Sequence, residues 1–171
     1  MRIQHVILRA MLLVLGMPAS AFEIDQITGS PPSPLQLQNV AGEVRSLDQF
    51  LGRVVLVNFW TSWCPPCLAE IPSLERLKRD LSNRPFEVFA VNVAEPRGTA
   101  SRFGYFSETD IHLLLDSDGE EAKKWNVRFF PTSFLVDATG QLAYRVLGDA
   151  DWGLEDLLGR INRLLPDRPE Q

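Results

Sequence analysis

The chain has 171 residues, 45% hydrophobic and 23% charged, with two cysteines, two histidines and a formal net charge of −5. Such a length suits one globular domain with enough chain to bury a core. Two cysteines exclude a disulfide-stapled scaffold, two histidines leave too few ligands for a four-ligand zinc cluster, and the excess of acidic residues argues against a nucleic-acid-binding surface.

Residues 1–21 combine a basic start (Arg2, Arg9), an apolar run from Ala10 to Met17, and small residues at both positions of an A-x-A site in Pro18-Ala19-Ser20-Ala21. This layout predicts a secretory signal peptide cleaved after Ala21; the run is far shorter than the ~20 residues of a spanning helix. Cleavage would leave about 150 residues with a charge of about −7, His112 as the only histidine, and an exported, periplasmic location. Residues 22–34, rich in Pro, Ser and Gly towards their end, read as an extended leader before a domain spanning 35–165, with a polar tail at 166–171.

Within the domain, Leu35–Leu37 and Val44–Ser46 predict a hairpin with a turn at Asn39–Gly42, and Ser46 can cap a short helical turn over Leu47–Phe50. Val54–Trp60 is an almost unbroken apolar run, as expected of a strand covered on both faces. After the connector Thr61-Ser62-Trp63 comes Cys64-Pro65-Pro66-Cys67, then Leu68, Ile71, Leu74, Leu77 and Leu81 at helical spacing. Pro65 and Pro66 fit the first helical turn, where backbone donors lack partners anyway, whereas Pro72 lies deeper and should kink the helix. Phe86–Val93 completes a βαβ unit with parallel strands. Further expectations are a helical stretch at Ala100–Phe106, a strand at Ile111–Leu115, a helix at Glu120–Trp125, a hairpin of Thr132–Asp137 with Gln141–Leu147, and a last helix capped by Asp151. Trp125, Trp152 and His112 read as packing residues.

A Cys-X-X-Cys pair at a strand-to-helix junction is a redox arrangement. Unpaired N–H groups and the helix dipole stabilise a thiolate at the first cysteine. Cys64 is therefore the expected exposed nucleophile and Cys67, one turn on, the resolving thiol. A static disulfide would close almost no loop and contribute little to folding, and a zinc site would lack its second pair of ligands. Glu70, one turn after Cys67 and beside the apolar face, is placed to manage the proton of a buried thiol. Glu95, at the carboxyl edge of the sheet after Val93-Ala94, is either a site residue or a solvated loop residue. Trp63 is expected to cover the site, and the Phe130-Pro131 bond is, from the residues alone, expected to be trans.

VVLVNFWTSWCPPC, from Val54 to Cys67, resembles the active-site strand and motif of the thioredoxin superfamily. CPPCLAEIP, AVNVAE and FPTSFLVDATGQLAYRVLG narrow the resemblance to its TlpA/ResA-like branch of exported thiol–disulfide oxidoreductases. The resemblance implies an α/β, thioredoxin-like fold: a mixed central sheet flanked by helices, an N-terminal β-hairpin extension, and an insertion after the βαβ unit at residues 94–128. It implies a cis Phe130-Pro131 bond packed against the cysteines and identifies Glu70 as the family's acidic residue after the second cysteine. Asn58 stands where many thioredoxins carry a buried aspartate, a task Glu70 would take over. It further implies a monomeric dithiol reductant with no cofactor beyond the redox-active disulfide. Its partners would be client proteins with disulfides or thiols, in cytochrome c maturation or copper-site assembly, and a membrane electron donor of the CcdA/DsbD type. Two alternatives compete with this reading. One is a Cu(I)-binding or delivery protein using the two thiolates, without Met-rich or His-rich segments to support it. The other is a thiol peroxidase, whose PxxxTxxC pattern fits Thr61 but needs proline at Val57.

Overall fold

The computed structural model describes residues 22–103 and 110–167; the signal-peptide segment, residues 104–106 of the expected helical stretch and residues 168–171 of the tail lie outside the described residues. In chain order the strands are β1 (Glu23–Gly29), β2 (Leu37–Asn39), β3 (Val44–Arg45), β4 (Val54–Trp60), β5 (Phe86–Val93), β6 (His112–Asp116), β7 (Thr132–Val136) and β8 (Leu142–Leu147). The helices are α1 (Pro65–Asp80), α2 (Arg97–Ala100), α3 (Glu120–Lys124) and α4 (Glu155–Leu164), with a 3-10 turn at Leu47–Phe50.

β4 organises the molecule. All seven of its residues are buried, and their alternation splits them between two cores. Val54, Leu56 and Trp60 face α1 and α4 together with Leu74, Leu77, Leu157 and Ile161, while Val55, Val57 and Phe59 pack on the other face with Phe89, Phe134 and Trp125. The same alternation puts Asn58 on the α1 face. β4 pairs parallel with β5 and antiparallel with β7, so the expected βαβ unit and its mixed surroundings are both present. The order across the sheet is β1-β8-β7-β4-β5-β6-β2-β3. This is the thioredoxin-like α/β architecture implied by the resemblance. The β2–β3 hairpin, whose turn is tied by Asn39 Oδ1 accepting from the Ala41 and Glu43 N–H groups at 3.0 and 2.9 Å, extends the sheet beyond β6.

Three local expectations are corrected. Glu23–Gly29, read as part of an extended leader, forms edge strand β1, which pairs antiparallel with β8 from Glu23↔Leu147 to Gly29↔Leu142; Asp25 and Arg145 reinforce the pairing with a salt bridge at 2.5 Å. Asp151 does not cap α4. Its side chain accepts from the Gly153 N–H at 3.0 Å, and the helix begins after Leu154. Trp152 is completely buried and does more than pack, as described below. α1 continues through Pro72 to Asp80.

At the end of the sheet away from the cysteines, Glu87 of β5 is held by Lys78 of α1 at 2.7 Å, Arg53 at 2.5 Å and His112 Nε2 at 3.4 Å. Burial alone would raise the Glu87 pKa, but hydrogen bonds from His112 and Lys78 and the charges of Lys78 and Arg53 outweigh it and hold it at about 2.

Candidate active site

The turn at residues 61–64 carries the chain from the buried end of β4 into α1. Cys64 is the N-cap residue, with extended backbone angles, and Pro65 and Pro66 occupy the first helical positions. Neither proline has an N–H group. The first donor of the helix is therefore the Cys67 N–H, and it points at Cys64 Sγ, 3.2 Å away. The double proline thus directs the positive end of the helix onto one sulfur. In the oxidised state described here a disulfide joins Cys64 and Cys67, their Cα atoms 5.3 Å apart.

The expected exposure of Cys64 is corrected: it is 5% exposed against 2% for Cys67. Its sulfur is turned inward to Cys67. Solvent meets Trp63 instead, which is 69% exposed and stands edge-to-face with Phe130, ring centroids 6.0 Å apart. Trp63 flanks the pair with most of its surface in water. The Phe130-Pro131 bond is cis, as the resemblance implies and contrary to the expectation from the residues alone. Phe130 packs against the core that contains both cysteines.

Beneath the pair lies a buried polar cluster centred on Glu70. Helical spacing places it one turn beyond Cys67, on the face turned to β4, and it is only 3% exposed. Its Oε2 accepts from Asn58 Nδ2 at 3.0 Å, and Oε1 from Trp152 Nε1 at 2.7 Å and the Ala150 N–H at 3.3 Å. Asn58 is itself anchored on Ser133 Oγ at 2.9 Å, its register partner on β7. Burial pushes the Glu70 pKa up to about 7, aided by the charge of Asp149 and opposed by the three hydrogen bonds. A cleft of about 220 Å³ between α1 and residues 149–151 reaches Glu70, bordered by Arg76 and Asp151. Glu70 can therefore exchange protons near neutrality.

Glu95 is a buried residue, 7% exposed, and is tied to the connector through Ser62 rather than solvated. It accepts from the Ser62 N–H at 2.7 Å, Ser62 Oγ at 2.5 Å and Asn92 Nδ2 at 2.6 Å. The structure thus gathers Cys64, Cys67, Glu70, Asn58, Trp63, Phe130, Pro131 and Glu95 at one edge of the sheet. Sequence reasoning missed Trp152 and Ser133. The register of β7 against β4 could have pointed to Ser133, but Trp152 lies 82 residues from Glu70 in the chain and carries no local signal.

The redoxin family model matches residues 15–160. The chain belongs to the redoxin family. Among curated proteins it is 29% identical to the thiol-disulfide oxidoreductase ResA of Geobacillus kaustophilus over 120 residues, covering 70% of this chain and 69% of that protein. It is 38% identical to a thiol:disulfide interchange protein DsbE homolog of Paracoccus denitrificans over 112 residues, 63% of this chain and 59% of that one. Among solved structures, StoA of Bacillus subtilis superposes with a TM-score of 0.60 at 26% identity, covering 71% of this chain and 92% of StoA. Together these place this redoxin in the TlpA/ResA-like branch of the thioredoxin superfamily, and its cysteine pair is that of a thiol–disulfide oxidoreductase.

Proposed function

We propose that the protein is a dithiol reductant of client protein disulfides, working outside the cytoplasm. The observation that carries this reading is the stacking of three elements: a sulfur at the N-cap of α1, a second sulfur one turn behind it, and a buried carboxyl that titrates near neutrality. In the reduced state the Cys64 thiolate attacks one sulfur of a client disulfide. The client S–S bond breaks, the first client sulfur leaves as a thiolate and takes up a proton, and a Cys64–client mixed disulfide forms. Cys67 then gives its proton to the Glu70 carboxylate and attacks Cys64 Sγ, expelling the second client thiolate, which is protonated in turn. The client gains two electrons and this chain ends as the Cys64–Cys67 disulfide. A dithiol donor in the membrane, of the CcdA/DsbD type, would return those electrons.

Clients in cytochrome c maturation or copper-site assembly, a monomeric state and export by a cleaved N-terminal signal belong to the same proposal. The export part rests on the three-part pattern of residues 1–21; among the described residues no helix is long and apolar enough to cross a membrane. Exposed Trp63 and Phe129, at 69% and 56%, supply apolar surface for an unfolded client segment. The test is substrate trapping. Cys67→Ser should accumulate mixed disulfides through Cys64, Cys64→Ser should accumulate none, and the reduced wild type should reduce insulin. A wild type that leaves insulin oxidised, together with an empty trap, refutes the proposal.

A further inference from the structure

The connector between β4 and α1 must place Cys64 at the end of a helix with no help from regular hydrogen bonding of its own. Within it the Cys64 N–H donates to Thr61 O at a long 3.4 Å. The strong anchors come from elsewhere in the chain: both polar donors of Ser62, its N–H and its hydroxyl, end on the two carboxylate oxygens of Glu95, thirty-three residues away.

Glu95 is aimed at that connector by a strained backbone. Ala94, the residue between β5 and Glu95, has φ +53°, a left-handed conformation that a residue with a Cβ adopts only under strain. The strain persists because the neighbouring chain fixes it. The Ala94 N–H donates to Asp116 O at 2.8 Å, and Asp116, itself buried, accepts from the Glu121 and Ala122 N–H groups at the start of α3. Asn92 Nδ2 fixes the carboxylate from the side, 2.6 Å from Oε2. A loop that served only to connect β5 to α2 would need neither the left-handed alanine nor a buried carboxylate with three donors.

We propose that Glu95 is a positioning residue for the nucleophile. Through Ser62 it holds the turn at residues 61–63 that delivers Cys64 to the N-terminus of α1, and thereby sets the reactivity of the Cys64 thiolate. The inference deepens the reading of Cys64 as the attacking thiol and rests on it.

The test uses the full reduced protein and iodoacetamide, with Cys64 alkylation followed by mass spectrometry against pH, so that no client is involved. Glu95→Ala should move the pH midpoint of Cys64 alkylation upward, because the sulfur is no longer held at the helix end, and a shift of about one pH unit slows alkylation below the midpoint roughly tenfold through the smaller thiolate fraction. Glu95→Gln retains an acceptor for Ser62 and should stay within about threefold of the wild type. Ser62→Ala keeps the backbone donor and should have an intermediate effect, and adding it to Glu95→Ala should slow alkylation no further, since both act through one contact. If Glu95 acted merely as a nearby negative charge, Glu95→Gln and Glu95→Ala would both move the midpoint downward; that result overturns the proposal. So does a Glu95→Ala protein with a lowered melting temperature and the wild-type alkylation profile, or strict additivity with Ser62→Ala. Because alkylation needs no client, an absence of insulin reduction by the wild type leaves this outcome readable on its own.

Discussion

Replacing Glu70 by glutamine removes a group that titrates at about 7 in the folded protein against an ordinary 4.5. The cause is burial, with Asp149 adding to it and the donors Trp152, Ala150 and Asn58 opposing it. A raised carboxyl means that the folded state holds its proton where the unfolded chain has lost it. The stabilisation is therefore fully present below pH ~4.5, declines as pH rises and is gone above pH ~7. A gap of roughly 2.5 pH units at about 1.4 kcal/mol each gives about 3 kcal/mol. The unfolding free energy of Glu70→Gln minus that of the wild type should thus swing by about 3 kcal/mol in favour of the variant between about pH 4 and pH 8, as the other titrating groups cancel. Urea unfolding of the oxidised proteins, followed by circular dichroism across that range, measures the swing, and carbon NMR of the Glu70 carboxyl measures its midpoint. A difference flat to within about 0.5 kcal/mol, or a carboxyl titrating near its ordinary value, refutes the burial argument and with it the role given to Glu70.

Trp152→Phe removes the 2.7 Å donor to Glu70 while keeping most of the buried ring. The Glu70 midpoint should move further up, and stability should fall by about 1–3 kcal/mol at pH ~8 but less at pH ~5, where the carboxyl is neutral; an unmoved midpoint in the same NMR titration would show that the contact does not act on Glu70. Glu87 is the opposite case, held at about 2. Its contribution is present above pH ~4.5 and lost as pH falls towards ~2. Glu87→Gln should cost about 2–4 kcal/mol near pH 7, because Lys78 stays buried without its counter-ion, and should flatten the acid limb of the stability curve; equal acid limbs for the two proteins contradict this.

The parts of the fold that announce themselves are those whose own residues determine their environment. β4 is apolar at six of its seven positions because both its faces are covered, and the spacing from Cys67 through Leu77 marks the buried face of α1. Cys64, Cys67 and Glu70 were legible for the same reason, all three being tied to one strand-to-helix junction. Asn58 was legible by comparison, as an amide where related chains carry an acid, and its contact with Glu70 follows from the alternation of β4. The rest depends on partners distant in the chain. β1 is mostly polar and owes its pairing to β8, so Glu23–Gly29 shows no pattern of its own. The burial of Glu95 depends on Ser62 and Asn92, neither of which signals an acidic partner. Trp152 looks like any packing tryptophan until its indole N–H is seen on Glu70. Phe130-Pro131 illustrates the limit of local reasoning: the dipeptide by itself favours trans, and only the surrounding fold selects cis.

The pairing of β1 decides where a fusion can be placed. Phe59, Thr132, Leu147 and Glu23 form one row across β4, β7, β8 and β1, and Thr132 directly follows cis-Pro131. With strands about 4.8 Å apart, Glu23 sits about 14 Å from the strand that leads into the cysteines. Glu23 therefore stands on the rim that clients would approach. An affinity tag on that side would crowd the disulfide, and a fluorophore there would report docking. The C-terminal end of α4 lies about 15 Å along the helix from the Trp152 side of the site and is the end to extend when access to the cysteines must be preserved.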